Sequence, residues 1–176
     1  DLVFEPKGEI KAGVAFYPGG KVDMHAYAPL LAKITREGYL CILYHMPSDL
    51  AIMKPNAAKK VRKRYDVDKW YIGGHSLGGV CAAMCLNSHD EVFDGIFFLA
   101  SYSSKDISDF EGKVISIYGD RDGVLNMEEY DKARPNLPSN YKELVIEGGC
   151  HSYFGWYGMQ DGDGEPSISR DEQINM

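Results

Sequence analysis

The sequence predicts an α/β chain built on a doubly wound, mostly parallel sheet, and three observations carry that expectation. Apolar runs of strand length recur between longer amphipathic stretches. Nearly all of these runs are continuously hydrophobic, as strands covered on both faces by helices are, whereas strands of one-sided sheets alternate. Finally, 176 residues at 44% hydrophobic and 26% charged can bury one full sheet-and-helix core, while two self-sufficient domains would each be marginal. A single domain over residues 1–176 is expected.

Taken in order, Ala12 to Tyr17, Tyr39 to Tyr44, Trp70 to Gly73, Gly95 to Ala100, Val114 to Tyr118 and Tyr141 to Ile146 read as strands. Leu2 to Glu5, followed by Pro6-Lys7-Gly8, reads as one arm of an N-terminal hairpin leading into Gly13. Helices are expected over Ala26 to Glu37, with Leu30, Leu31 and Ile34 on one stripe, and over Asn56 to Tyr65, Leu77 to Asn87 and Met127 to Ala133. After Gly158 the chain reads as loop and a short terminal helix. No internal repeat or low-complexity tract stands out.

Composition excludes several function classes. With 19 Lys+Arg against 26 Asp+Glu the net charge is −7, and positive charge is concentrated only in Lys59 to Arg64. A nucleic-acid binder needs a broad basic face to neutralise phosphates, so none is expected here. The basic run reads as a solvated helix face. No stretch approaches the roughly 18 to 20 apolar residues of a membrane span. Four cysteines without CxxC spacing give neither a disulfide framework nor a zinc or redox motif. Cys81 and Cys85 fall on one helical face and read as small core residues. Asp161-Gly162-Asp163-Gly164 lacks the spacing and terminal glutamate of a calcium loop, so no metal site is assigned. A start at Asp1 is compatible with an upstream signal, anchor or first strand; compartment, cysteine redox state and oligomeric state stay open.

The chemistry is concentrated at Gly74-His75-Ser76-Leu77-Gly78, a GxSxG motif lying between an apolar strand and a small-residue helix. A serine in such a tight strand-to-helix turn is presented above the sheet edge, and glycines two residues to either side remove the Cβ atoms that would clash there. Its hydroxyl is a weak nucleophile until a base takes its proton, and that base needs a carboxylate to hold its tautomer. Two later strand ends offer both. Val114 to Tyr118 runs into Gly119-Asp120-Arg121-Asp122-Gly123, and Tyr141 to Ile146 into Glu147-Gly148-Gly149-Cys150-His151. Asp120 and Asp122 compete for the acid role, and the loop position favours Asp122. Of the five histidines, His25, His45 and His89 precede the late loops, and His75 lies inside the elbow with its side chain expected to point away from the nucleophile's face. His151 alone occupies the expected place.

Acyl transfer also needs amide donors for the oxyanion of the tetrahedral intermediate. One is expected from the Leu77 N–H at the helix N-terminus, the other from the loop Tyr17-Pro18-Gly19-Gly20-Lys21, with Gly20 or Lys21 as candidates. Tyr17, Tyr44, Met46, Tyr102, Phe154, Trp156 and Tyr157 fall beside loops at the carboxyl edge of the sheet and are expected to form a partly aromatic pocket. Only Ser101 to Lys113 separates two strands where a cap domain could be inserted, which is too short for one.

The segments FYPGGKV, GGHSLGG, YGDRDGV and GGCHSYFGWYG together resemble the α/β-hydrolase superfamily, in particular its compact, capless bacterial members, which are related at fold level to dienelactone hydrolases. The resemblance runs from Phe16 to about Gln173. It implies a Ser-Asp-His triad at Ser76, Asp122 and His151 and no organic cofactor. Two departures are visible. The first strands of a complete superfamily sheet are missing or lie upstream of Asp1, and dienelactone hydrolases carry cysteine where this chain has Ser76, so their substrate does not transfer. The expected activity is that of a serine hydrolase on a small-molecule ester or thioester. A peptidase or acyltransferase using the same triad, and a non-catalytic binding module on the same scaffold, are the alternatives.

Overall fold

A computed structural model describes residues Asp1–Met176. Its centre is a seven-stranded sheet formed by β1 (Leu2–Phe4), β2 (Ala12–Tyr17), β3 (Tyr39–Leu43), β4 (Trp70–His75), β5 (Gly95–Leu99), β6 (Lys113–Gly119) and β7 (Lys142–Ile146), in the order β1-β3-β2-β4-β5-β6-β7. Every neighbouring pair is parallel except β1 with β3. The expected hairpin is therefore corrected. β1 pairs antiparallel with β3, Leu2 opposite Leu43 and Phe4 opposite Cys41, and not with β2. Pairing with β3 lets Leu2 and Phe4 cover the apolar cluster around Val14, Cys41 and Leu43.

The continuous hydrophobicity of the inner strands has its expected cause. β2 is buried at all six positions, and the sheet divides two apolar clusters, one around Trp70, Ile72 and Phe98 and the other around Phe16, Leu31 and Leu43. Only the two edge strands leave large apolar side chains to solvent, Val3 in β1 and Leu144 and Val145 in β7. Helix α1 (Ala28–Arg36) begins with a proline in its first turn, buries Leu30 and Leu31, and stops at Gly38, whose φ of 95° suits glycine. Helices α3 (Leu77–Ser88), α4 (Met127–Ala133) and α5 (Arg170–Asn175) complete the layers. Asn126 caps α4 by accepting from the Glu129 amide, and Ser169 with Glu172 forms a capping box on α5.

The helix expected over Asn56 to Tyr65 shrinks to a single turn, α2 (Val61–Arg64). The preceding residues form consecutive turns in which each amide reaches back three residues, and the Ala58 amide donates to the Tyr17 hydroxyl instead of a helical carbonyl. The same hydroxyl donates to Pro55 O at 2.7 Å, so one buried tyrosine fixes this stretch outside a regular helix. Within the basic run Arg62 is structural, bridging Val92 O, Asp68 O and the Asp94 carboxylate, while Lys59, Lys60, Lys63 and Arg64 are exposed. All four cysteines are free and buried, and Cys81 and Cys85 pack in the core beside the sheet. No helix is long and apolar enough to cross a membrane.

Trp70 is fully buried opposite Gly13, and a Cβ at Gly13 would lie 2.4 Å from the indole ring. Gly13→Ala should therefore cost about 1–3 kcal/mol through overpacking, read as a lower urea midpoint with an unchanged slope. An unshifted midpoint would refute the close packing of Gly13 on the ring.

Candidate active site

Ser76 joins β4 to α3 with φ 52° and ψ −125°, a backbone conformation that L-residues other than glycine rarely adopt. The surroundings enforce it. A Cβ on Gly78 would meet Tyr17 O at 2.2 Å, and one on Gly74 would meet the same oxygen at 2.5 Å, so both glycines are required where the end of β2 crosses the turn. From the other side the Ser76 amide donates to Leu99 O at 3.0 Å, and the Ser101 hydroxyl donates to Ser76 O at 2.7 Å. Ala100, between those two partners, also takes positive φ, at 47°.

The acid and base candidates meet in a buried pair. His151 Nδ1 lies 2.8 Å from Asp122 Oδ2, and both side chains are 1% exposed. The second oxygen of Asp122 accepts from the Val124 amide at 2.9 Å and the Leu125 amide at 2.7 Å, which fixes the carboxylate's orientation. Asp120 faces elsewhere: its Oδ1 accepts from the Gly148 amide at 2.7 Å and ties the end of β6 to the turn after β7. His151 Nε2 is buried and has no hydrogen-bond partner within the protein.

His75 does not point clear of this group, as its place in the motif suggested. Its ring packs 4.4 Å from that of His151, centroid to centroid, and its Nδ1 lies 2.8 Å from the Tyr27 hydroxyl, which accepts from the Gly19 amide at 3.0 Å. Burial, then the neighbouring His151, holds the His75 pKa well below the usual histidine range, so the ring is neutral at pH 7. Tyr27 carried no motif, and only the folded chain brings it to the elbow.

The oxyanion candidates separate. Lys21 N–H donates to Asp49 O at 2.8 Å and is already committed, whereas the Gly20 and Leu77 amides donate to no protein acceptor. These two residues are neighbours, for a Cβ on Gly20 would lie 2.9 Å from Leu77 Cδ2.

The aromatic pocket is corrected. Tyr17, Tyr44, Met46 and Phe154 are at most 3% exposed and pack in the core; Tyr17 meets Tyr44 edge-on, and Phe154 stacks near His75. Tyr102 rests against Tyr118, Leu125 and Tyr130, and Trp156 carries Arg170 over its ring. Ser76 and Leu77 are half-buried, and no cap covers the elbow. The reason is the one foreseen for the cap: the segment between β5 and β6 contains no helix. Burial pushes the Cys150 thiol up to about 11, so it stays protonated beside His151. No group of three or more His, Cys, Asp or Glu side chains gathers as a metal-ligand set.

Tyr27→Phe tests the chain of contacts from Gly19 to His75. Removing the hydroxyl strands a buried amide and a buried ring nitrogen, which should cost about 1–3 kcal/mol in equilibrium unfolding. Stability equal to the parent's would show that neither group depends on Tyr27.

A family model described as alpha/beta hydrolase family matches residues 13–175. No curated protein matches the sequence. Among solved structures, a monoacylglycerol lipase from Paleococcus ferrophilus is similar with a TM-score of 0.72 at 10% identity, over 87% of this chain and 90% of that one. Est1E from Butyrivibrio proteoclasticus, solved with ferulic acid bound, gives 0.70 at 13% identity over 85% and 86%. A predicted CIB-like hydrolase from Thermoplasma acidophilum gives 0.64 at 14% identity over 94% and 83%. With its strand order, its capless sheet and a family match over nearly its whole length, the chain belongs to the alpha/beta hydrolase family.

Proposed function

We propose that this protein is a serine hydrolase that cleaves a small ester or thioester through an acyl-enzyme on Ser76. The observation that carries the reading is the buried 2.8 Å pairing of His151 Nδ1 with Asp122 Oδ2, in a fold whose strained elbow presents Ser76 at the same sheet edge. Asp122 accepts the Nδ1 proton and so leaves Nε2 basic. Nε2 takes the Ser76 proton as Oγ attacks the carbonyl carbon. The resulting oxyanion is met by the amides of Leu77 and Gly20, which are uncommitted, and not by Lys21, which Asp49 occupies. Such a donor typically contributes about 3 to 4 kcal/mol to lowering the barrier. His151 then passes its proton to the departing alcohol or thiol. Water, deprotonated by the same nitrogen, attacks the acyl-enzyme, and collapse releases the acid as the His151 imidazolium returns that proton to Ser76 Oγ.

The neutral His75 ring beside His151 supports this assignment electrostatically. A second cation there would oppose the imidazolium that forms at His151 during attack, and burial prevents that charge.

Asp122→Asn should reduce acylation by about four orders of magnitude, because the wrong histidine tautomer is then favoured. Asp120→Asn should lose far less, acting only through the Gly148 contact. Fluorophosphonate labelling, lost in Ser76→Ala, and single-turnover rates on p-nitrophenyl acetate measure both. The reverse ranking would move the acid role to Asp120.

Substrate size follows from the uncapped elbow. Each buried methylene contributes about 0.8 kcal/mol, but Tyr17, Tyr44, Met46 and Phe154, four of the seven residues expected to receive an acyl chain, are themselves buried in the core. Activity should peak at about two to six acyl carbons, beyond which added methylenes find no surface to cover. With no lid to open, anionic vesicles should not activate the enzyme. A p-nitrophenyl ester series compared with matched thioesters and amides decides. Peak activity beyond about ten carbons, or strong vesicle activation, would overturn the open-site reading.

A further inference from the structure

The loop carrying His151 is held from the C-terminal side by a residue that neither the motif nor the triad includes. Asp163 Oδ1 accepts from the His151 amide at 3.2 Å, from the Gly123 amide at 3.1 Å and from its own neighbour Gly164 at 2.9 Å. Its Oδ2 accepts from the Ser152 amide at 2.8 Å and the Ser152 hydroxyl at 2.6 Å. One carboxylate thus binds the backbone of the base itself, the residue after the base, and the residue immediately after Asp122. Charge-assisted hydrogen bonds of this kind are roughly twice as strong as neutral ones.

We infer that Asp163 is a positioning residue of the hydrolase site: its carboxylate fixes the Asp122 loop against the His151 loop and so sets the orientation in which the base meets the acid. This rests on the triad reading above, since Asp163 acts only through Asp122 and His151. The clamp is specific to that pair. No other side chain bonds to the backbone of both loops at residues adjoining the acid and the base, and Gln173 grips only Cys150, through its amide at 3.0 Å and its carbonyl at 2.8 Å. Space is tight around the clamp as well, for a Cβ on Gly123 would meet Gly162 O at 2.3 Å. Burial by itself would raise the Asp163 pKa, but bonds from Ser152, Gly123 and His151 outweigh it and hold the carboxyl below its ordinary range. The clamp is therefore ionised across the neutral range. Its contribution is fully present above the ordinary aspartate pKa and is lost as pH falls through the lowered folded value.

The tests are Asp163→Asn and Ser152→Ala, with Asp161→Asn as control, because exposed Asp161 makes none of these bonds. Asp163→Asn keeps the shape but turns an amide donor toward donors. Its kcat on p-nitrophenyl acetate should fall about 10- to 100-fold with KM within a few fold, the scale of a small misplacement of reacting groups. Ser152→Ala, which keeps the Ser152 amide and removes one hydroxyl donor, should fall a few fold and leaves the clamp testable if Asp163→Asn does not fold. The proton between His151 Nδ1 and Asp122, followed as a downfield 1H resonance, should shift or broaden in both variants and stay in place in Asp161→Asn. A purely structural role would lower the melting temperature and leave that resonance unmoved in the folded protein, which overturns the inference, as would unchanged kcat in Asp163→Asn and Ser152→Ala. Should Ser76→Ala retain full activity, the hydrolase reading fails by itself, and the resonance still reports whether Asp163 sets the acid–base pair.

Discussion

The structure depends on one constraint, the positive φ at Ser76. A serine at φ 52° and ψ −125° is unfavourable by about 1–3 kcal/mol and persists only where the neighbouring backbone leaves no alternative. That neighbouring backbone is the end of β2, whose Tyr17 carbonyl lies so close to the turn that neither Gly74 nor Gly78 could carry a side chain. The same approach places the loop after β2, with its free Gly20 amide, next to Leu77 at the start of α3. Strain at Ser76 and convergence of two amides are therefore consequences of a single close contact between β2 and the elbow.

Electrostatics at the other two strand ends follow a different logic, in which burial decides which groups are charged. Asp122 is buried and carries amide donors on one oxygen and His151 on the other, so its lone pairs are compensated in a region of low dielectric. His75 is buried with only a tyrosine hydroxyl for company and is held neutral, and Cys150 is buried and stays a thiol. Among these closely packed groups, burial keeps His75 and Cys150 uncharged, while Asp122 and His151 are joined by a hydrogen bond.

The legible part of the fold was the part written in local chemistry. Strands such as Ala12–Tyr17 and the elbow announce themselves through hydrophobic runs and glycine spacing, and each lies within a few residues of where the sequence puts it. What was not legible depends on partners distant in the chain. The antiparallel pairing of β1 with β3, the loss of helix before Val61 to the Tyr17 hydroxyl, and the burial of Tyr44 and Met46 are long-range effects with no short-range signature. The candidate site divides in the same way. Ser76, Asp122 and His151 follow from motif order on strand ends, whereas Tyr27 and Asp163 carry no pattern of their own. Asp163 sat in a glycine-aspartate run whose only sequence reading was a calcium loop it did not match.

That division has a physical origin in how such a site is assembled. Ser76 rests on the centre of the sheet, where β4 is hydrogen-bonded on both sides, so short-range geometry is enough to hold it. His151 follows β7, an edge strand with one neighbour and mostly exposed side chains, so the sheet supports its loop from one side only. The chain after His151 compensates by folding back: Gln173 from α5 grips Cys150, and Asp163 grips His151, Ser152 and Gly123. The C-terminal segment thus holds the His151 loop from outside the sheet, with these polar contacts and with Ile168 and Ile174, which pack on the apolar cluster around Ile146 and Phe154.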